Sequence, residues 1–127
     1  MRVFLDSYAW VEYFLGSSKG EKVNILLTSE NKIYTSNIVL AEVVSKFKRE
    51  KMDFKEAIRI ILSNACVVDV DKNIAIEAGI FHADIKKKKK DFGLVDAIIW
   101  ISAQNLNSKI VTGDNHFKEF KNVIFLK

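Results

Sequence analysis

Arg2-Val3-Phe4-Leu5-Asp6 is a short apolar run that stops on a carboxylate. Val3, Phe4 and Leu5 follow one another without polar alternation, the pattern of a strand covered on both faces within a parallel sheet. Open α/β sheets place their chemistry just beyond the carboxyl ends of the strands, so Asp6 stands where a functional carboxylate is expected. The competing reading is that Asp6 only caps a helix. Asp is among the best N-cap residues, and residues 7–15 read as helical.

Beyond that first strand, helices and strands alternate. Gly16-Ser17-Ser18 is a turn signal, and residues 19–29 carry Val23, Leu26 and Leu27 on one helical face. Residues 32–35 form a second strand. Ser36 and Asn37 offer an N-cap for a helix reaching to about Lys51, with Leu40, Val43, Val44 and Phe47 as its core face. Asp53 caps a helix over 54–64 whose stripe is Ala57, Ile58, Ile61 and Leu62. Residues 66–70 form a third strand, and Asp71 opens a helix that continues into a lysine run. Residues 95–105 are apolar nearly all round and are predicted to be central. Residues 109–112 make a fourth strand, a short helical segment runs to about Phe120, and residues 123–126 make a fifth. This alternation predicts one α/β domain over 1–127, with a mostly parallel sheet and helices on both faces.

Composition agrees with such a core. The chain has 127 residues, 49% of them hydrophobic and 28% charged, which argues against disorder. No apolar run approaches the roughly 20 residues of a membrane span, and Asp6 interrupts the N-terminal run too early for a signal peptide, so a cytoplasmic location and no membrane partner are expected. Cys66 is the only cysteine, which excludes an internal disulfide and a Cys-based zinc site and suggests a small packed hydrophobe. His82 and His116 share no metal-ligand spacing and read as surface or half-buried side chains. A formal charge of +4 is compatible with a polyanionic partner, and Lys86, Lys87, Lys88, Lys89 and Lys90 supply five positive charges in a row.

Four acids fall at the start of, or early in, a helix close to a strand's carboxyl end: Asp6, Glu42, Asp96 and Asp114. In a parallel sheet these positions share one edge. Like charges in one cleft raise each other's pKa unless a cation neutralises them, and an oxygen-only set suits Mg²⁺ or Mn²⁺. Divalent ions held this way activate water and stabilise a leaving oxygen in phosphodiester hydrolysis. Capping and helix-dipole complementarity explain one such acid easily and four less well. Glu42 lies too deep in its helix to cap it.

Phe4-Leu5-Asp6-Ser7, Thr35-Ser36 ahead of Leu40-Ala41-Glu42-Val43, Val95-Asp96-Ala97-Ile98-Ile99, and Val111-Thr112-Gly113-Asp114 with Phe117 after it resemble the PIN-domain pattern across essentially the whole chain. The resemblance is greatest to the small VapC-type ribonuclease toxins and their stand-alone relatives. It implies a five-stranded parallel sheet of order 3-2-1-4-5, an acidic quartet of Asp6, Glu42, Asp96 and Asp114 holding one or two Mg²⁺ or Mn²⁺ ions, and an accessory hydroxyl at Thr112. It also implies cleavage of RNA, frequent homodimers and, for a toxin, an antitoxin covering the cleft, with an arginine facing the carboxylates. Asn115 stands where many relatives carry a further polar or acidic residue and is read as lying behind the metal ligands. Ser7 orients Asp6 or a metal-bound water, or simply starts a helix. Asp91 reads as a loop aspartate.

The lysine run is either a solvated helix end or a basic rim that draws RNA toward an acidic cleft. Trp10, Tyr13 and Phe14 serve the core or a dimer surface. Hydrolysis by water should leave 5′-phosphate and 3′-hydroxyl ends. An RNA-processing nuclease without an antitoxin, and a non-catalytic RNA-binding or interaction module of the same fold, remain open. A phospho-receiver domain fits poorly, because Asp6 has no acidic neighbour and Asp69 lies inside the third strand. A haloacid-dehalogenase-like phosphatase needs a second Asp at the position of Tyr8.

Overall fold

The computed structural model describes residues 1–127. Its elements are β1 (Arg2–Leu5), α1 (Ser7–Leu15), α2 (Ser18–Thr28), β2 (Lys32–Ser36), α3 (Asn37–Arg49), α4 (Phe54–Asn64), β3 (Cys66–Val68), α5 (Lys72–Ile85), α6 (Leu94–Asn105), β4 (Lys109–Thr112), a single 3₁₀ turn (Asn115–Phe117) and β5 (Val123–Phe125). All four strand pairings are parallel, and the strand order is β3-β2-β1-β4-β5. The expected order therefore holds, and β1 is the central strand. The chain runs outward from β1 to β3, then returns across the sheet to β4. With right-handed crossovers, that reversal puts α5 and α6 on the face opposite α1 to α4. No helix is long and apolar enough to cross a membrane.

The centre of the sheet is fully covered. Val3, Phe4, Leu5, Ile110 and Val111 are completely buried, which explains why β1 and β4 read as unbroken apolar runs. Trp10 is also fully buried. Its indole N–H donates to the Thr35 hydroxyl at 3.2 Å, and that hydroxyl donates to the Leu5 carbonyl at 2.8 Å, tying α1, β2 and β1 together beside Asp6. Phe14 stacks on Trp10, Tyr13 meets Trp10 edge-to-face, and Phe14 meets Phe47 edge-to-face. Trp10 therefore contributes to the core and not to a dimer surface.

Several local expectations shift. The buried stripe of α3 is Val39, Val43 and Phe47, with Leu40 only flanking the core, because the spacing of four follows the helix face nearest the sheet. On α4, Ala57 and Ile61 are buried while Leu62 is 57% exposed. Cys66 is exposed, because β3 is a three-residue edge strand that the layers cover poorly. Helix α5 stops at Ile85 and does not continue into the lysines, which form turns. Leu94 and Val95, at the start of α6, are exposed, so only the later part of that helix is central.

Helices α1 and α2 meet through Gly20, which is buried. A Cβ at Gly20 would fall on the Glu12 carbonyl oxygen and within 2.7 Å of its carbon, whereas a Cβ at Gly79 in α5 meets nothing within 4 Å. Gly20→Ala should therefore destabilise the fold by about 2–3 kcal/mol through overpacking against backbone. Gly79→Ala should stabilise it by about 0.5–1 kcal/mol through helix propensity. Urea unfolding followed by circular dichroism reads both, and effects of the same sign would refute the packing assignment.

Candidate active site

The reversal of strand order lies between β1 and β4, the kind of position where open α/β sheets form a crevice. Asp6 extends β1 and Asp114 follows β4, while Asp96 sits in the first turn of α6 and Glu42 in the second turn of α3. Each aspartate is held through a helix or turn start. Asp6 Oδ1 accepts from the Ala9 amide at 2.9 Å, Asp96 Oδ2 from the Gly93 amide at 3.0 Å, and Asp114 Oδ1 from the His116 amide at 2.9 Å. Asp6 and Asp114 thus cap α1 and the 3₁₀ turn, while Asp96, the third residue of α6, reaches back to the amide of the Gly93 cap. Each carboxylate nevertheless keeps a second oxygen outside its capping bond, so capping orients the group without using it up.

Asp6 is only 3% exposed. Burial pushes its carboxyl pKa up from 3.8 to about 7, opposed by the Thr112 hydroxyl and the Ala9 amide and reinforced by the charges of Asp114 and Glu42. Glu42 is also shifted upward, first by burial and then by Asp96 and Asp114, while the nearby Ser7 hydroxyl favours its ionised form. Its Oε1 is buried with no hydrogen-bond partner. The four acids are therefore electrostatically coupled, and protons or a cation must balance them.

The tightest group of donor atoms is not that quartet. Asp96, Asp114 and His116 bring one donor atom each within 4.8 Å of one another, with Asp6 and Glu42 outside the group. His116 Nδ1 lies 2.9 Å from Asp96 Oδ2 and 3.4 Å from Asp114 Oδ1. Sequence reading passed over His116 because it has no histidine or cysteine partner at ligand spacing. The available signal was its position two residues after Asp114, in a turn that folds back over the end of β4. A set of carboxylate oxygens with one imidazole, beside an unpartnered buried Glu42 oxygen, fits a divalent cation.

The accessory residues separate in space. Thr112 is fully buried, and its hydroxyl oxygen accepts from the Asp114 amide at 2.9 Å. Ser7 lies beside Glu42 rather than acting only at the helix start. Asn115 is exposed and makes no hydrogen bond to the acids. It instead lines a cleft of about 360 Å³ shared with Lys88, Lys89, Lys90 and His116. Lys86 and Lys87 lie outside this cleft, and Lys86 Nζ donates to the Lys90 carbonyl. On the other side of the acids, a groove of about 490 Å³ runs between α1 and α3 past Tyr8, Val11, Leu15 and Met52 to Glu42 and Asp114.

Comparisons with known proteins agree with this architecture. The PIN domain family model matches residues 3–123. A toxin–antitoxin complex from Klebsiella pneumoniae superposes with a TM-score of 0.78 at 21% identity, covering 98% of each chain. The VapBC2 complex from Rickettsia felis, bound to a DNA fragment from its promoter, gives 0.74 at 25% identity, covering 98% of this chain and 97% of that one. A Mycobacterium tuberculosis VapC toxin that cleaves the sarcin-ricin loop gives 0.73 at 18% identity, covering 91% and 92%. No curated protein sequence matches the chain. A family match spanning nearly every element, together with the 3-2-1-4-5 sheet and acids at its carboxyl edge, makes this chain a member of the PIN domain family.

Proposed function

We propose that this PIN domain is a divalent-cation-dependent endoribonuclease and the toxin of a toxin–antitoxin pair. The observation that carries the reading is the gathering of Asp6, Glu42, Asp96 and Asp114 at the β1/β4 switch point, where burial and mutual repulsion push Asp6 and Glu42 toward their neutral forms. These four carboxylates would hold one or two Mg²⁺ or Mn²⁺ ions. Bound there, such an ion neutralises phosphate charge and activates water for in-line attack.

The chain's own residues set the geometry in advance. The Ala9, Gly93 and His116 amides aim three carboxylates, and Thr112 braces both Asp6 and the Asp114 backbone, so little reorganisation is needed when substrate arrives. Lys88, Lys89 and Lys90 border the site on the His116 side and offset the repulsion between an acidic cleft and an RNA backbone. Hydrolysis by water leaves 5′-phosphate and 3′-hydroxyl ends.

The opposite groove, where Tyr8, Val11, Leu15 and Met52 lie among the charges of Glu12, Lys46, Arg49 and Glu50 and lead to Glu42 and Asp114, suits an amphipathic antitoxin segment with an arginine directed at the carboxylates. The Klebsiella and Rickettsia structures, both toxin–antitoxin assemblies, support that partner.

Wild-type chain with Mg²⁺ or Mn²⁺ should cleave RNA, chelator should abolish cleavage, and Asp6→Asn or Asp96→Asn should each lower the rate by about 100-fold or more. Equal activity in all of these would end the nuclease reading, and metal binding without cleavage would favour a non-catalytic RNA-binding module.

Because the folded pKa of Asp6 is raised from 3.8 to about 7, the folded state holds its proton more tightly than the unfolded chain does. That contribution is fully present below the unfolded pKa and is lost as pH rises through about 7, at a cost of about 4 kcal/mol at most. Asn cannot ionise and still caps α1. Asp6→Asn should therefore gain stability over wild type between about pH 4 and about pH 8 in chelator, read by urea unfolding. An advantage that does not grow with pH would contradict the assignment.

Replacing Lys88, Lys89 and Lys90 together by Gln should weaken RNA binding and reduce the slope of log affinity against log salt by up to about 2. Fluorescence anisotropy on a catalytically silent Asp96→Asn background measures it, and an unchanged slope would remove the basic rim from the proposal.

A further inference from the structure

His116 stands inside the acidic centre although its sequence position gives it no ligand partner of its own kind. We infer that His116 Nδ1 is a direct nitrogen donor in the proposed metal centre, completing a two-oxygen, one-nitrogen face with Asp96 and Asp114 and biasing that centre toward Mn²⁺ over Mg²⁺. This rests on the reading that the acids hold a divalent cation, and it adds both a residue and a selectivity to that reading.

Three observations carry the inference. First, the donor atoms are already clustered. Nδ1 is hydrogen-bonded to Asp96 Oδ2 at 2.9 Å and lies 3.4 Å from Asp114 Oδ1, with one donor atom from each of the three residues within 4.8 Å of the others, so an entering ion would take the place of the proton that Nδ1 and Asp96 share. Second, the ring is held there by the backbone. The His116 amide donates to Asp114 Oδ1 at 2.9 Å, and the Asp114 amide donates to Thr112 Oγ1 at 2.9 Å, so the turn after β4 carries oxygen and nitrogen donors as one unit. Third, the imidazole is 40% and Asp114 35% exposed against only 16% for Asp96, so His116 and Asp114 together form the open side of the centre.

The chemistry separates a ligand from a residue that only positions Asp96. Mg²⁺ prefers oxygen and retains its waters, whereas imidazole affinity rises along the first-row transition metals. A centre made only of carboxylates should discriminate weakly between the two ions. One with a nitrogen donor should bind Mn²⁺ at least about tenfold more tightly than Mg²⁺, and His116→Gln should remove most of that difference while changing Mg²⁺ affinity less than about threefold.

The test uses the 127-residue chain without a polyhistidine tag, loaded with Mn²⁺ alone and examined by electron spin echo envelope modulation. The expected result is a coordinated ¹⁴N signal that changes to a ¹⁵N pattern on selective ¹⁵N-histidine labelling and is lost in His116→Gln. Labelling the wild-type chain decides the matter even if the variant folds poorly. His82, within α5, is no rival, because its Nε2 lies 3.1 Å from the Phe92 carbonyl oxygen and its ring is not among the clustered donors. Calorimetric titration with Mn²⁺ and Mg²⁺ supplies the affinity ratio. Mn²⁺ bound without nitrogen coupling would overturn His116 as a ligand and leave the proposed centre standing. Failure to bind Mn²⁺ in any form that Asp96→Asn abolishes would overturn the centre itself.

Discussion

A carboxylate at the tip of the central strand has almost no water to solvate it, and the arrangement around Asp6 follows from that. The strand must be central for the sheet to cover Val3, Phe4 and Leu5 on both faces, and the same centrality seals the residue that ends it. Protein groups therefore supply what solvent cannot. The Ala9 amide at the start of α1 and the Thr112 hydroxyl at the end of β4 both favour the charged form. Neither is strong enough to offset burial, which leaves the group poised near neutrality. That balance ties the register of β1 against β4, which pairs Leu5 with Val111, directly to the electrostatics of the cleft.

The other acids intensify this tension. Asp96 and Asp114 are anchored by backbone amides at the starts of α6 and the 3₁₀ turn, where the partial positive charge of unpaired N–H groups suits a carboxylate. These anchors are ordinary capping interactions, and they are what allows like charges to be held close together. Glu42 has no such anchor. It reaches the cleft from the second turn of α3 with one buried oxygen unpartnered, which makes it the member of the quartet whose position local structure does least to justify.

Two unlike surfaces open from this centre. Toward α1 and α3 the lining is mixed, with Tyr8, Val11, Leu15 and Met52 among the charges of Glu12, Lys46, Arg49 and Glu50. Toward the turn after α5 it is basic, with lysines packed beside His116. A phosphate backbone and an amphipathic protein segment would make different demands on a surface, and the two sides differ in the same sense. Lys89 also reaches Glu119 at 3.3 Å and lies over the Phe120 ring, so part of the basic side is positioned by the aromatic cluster of Phe81, Phe92, Trp100 and Phe120.

Much of this was legible before any coordinates. The apolar run ending on Asp6, the turn residues at Gly16-Ser17-Ser18, and the alternation of strands with helices depend on short-range preferences that the chain displays directly, and α1 and β4 have the predicted bounds. Which side of a helix is deepest was less legible. Val39 displaced Leu40, and Leu62 faces solvent, because a helical apolar stripe is wider than the sheet beneath it. Cys66 and the end of α5 were misread for a related reason: exposure at an edge strand and the stop at Ile85 depend on what packs nearby, not on residue type. The sequence by itself thus determined the order of elements, put Asp6 and Asp114 just past strand ends and put Asp96 at the start of a helix. Only the tertiary structure decided that His116 meets Asp96 across twenty residues of chain, because that contact exists only when β4 and α6 pack together and bring their ends to one point.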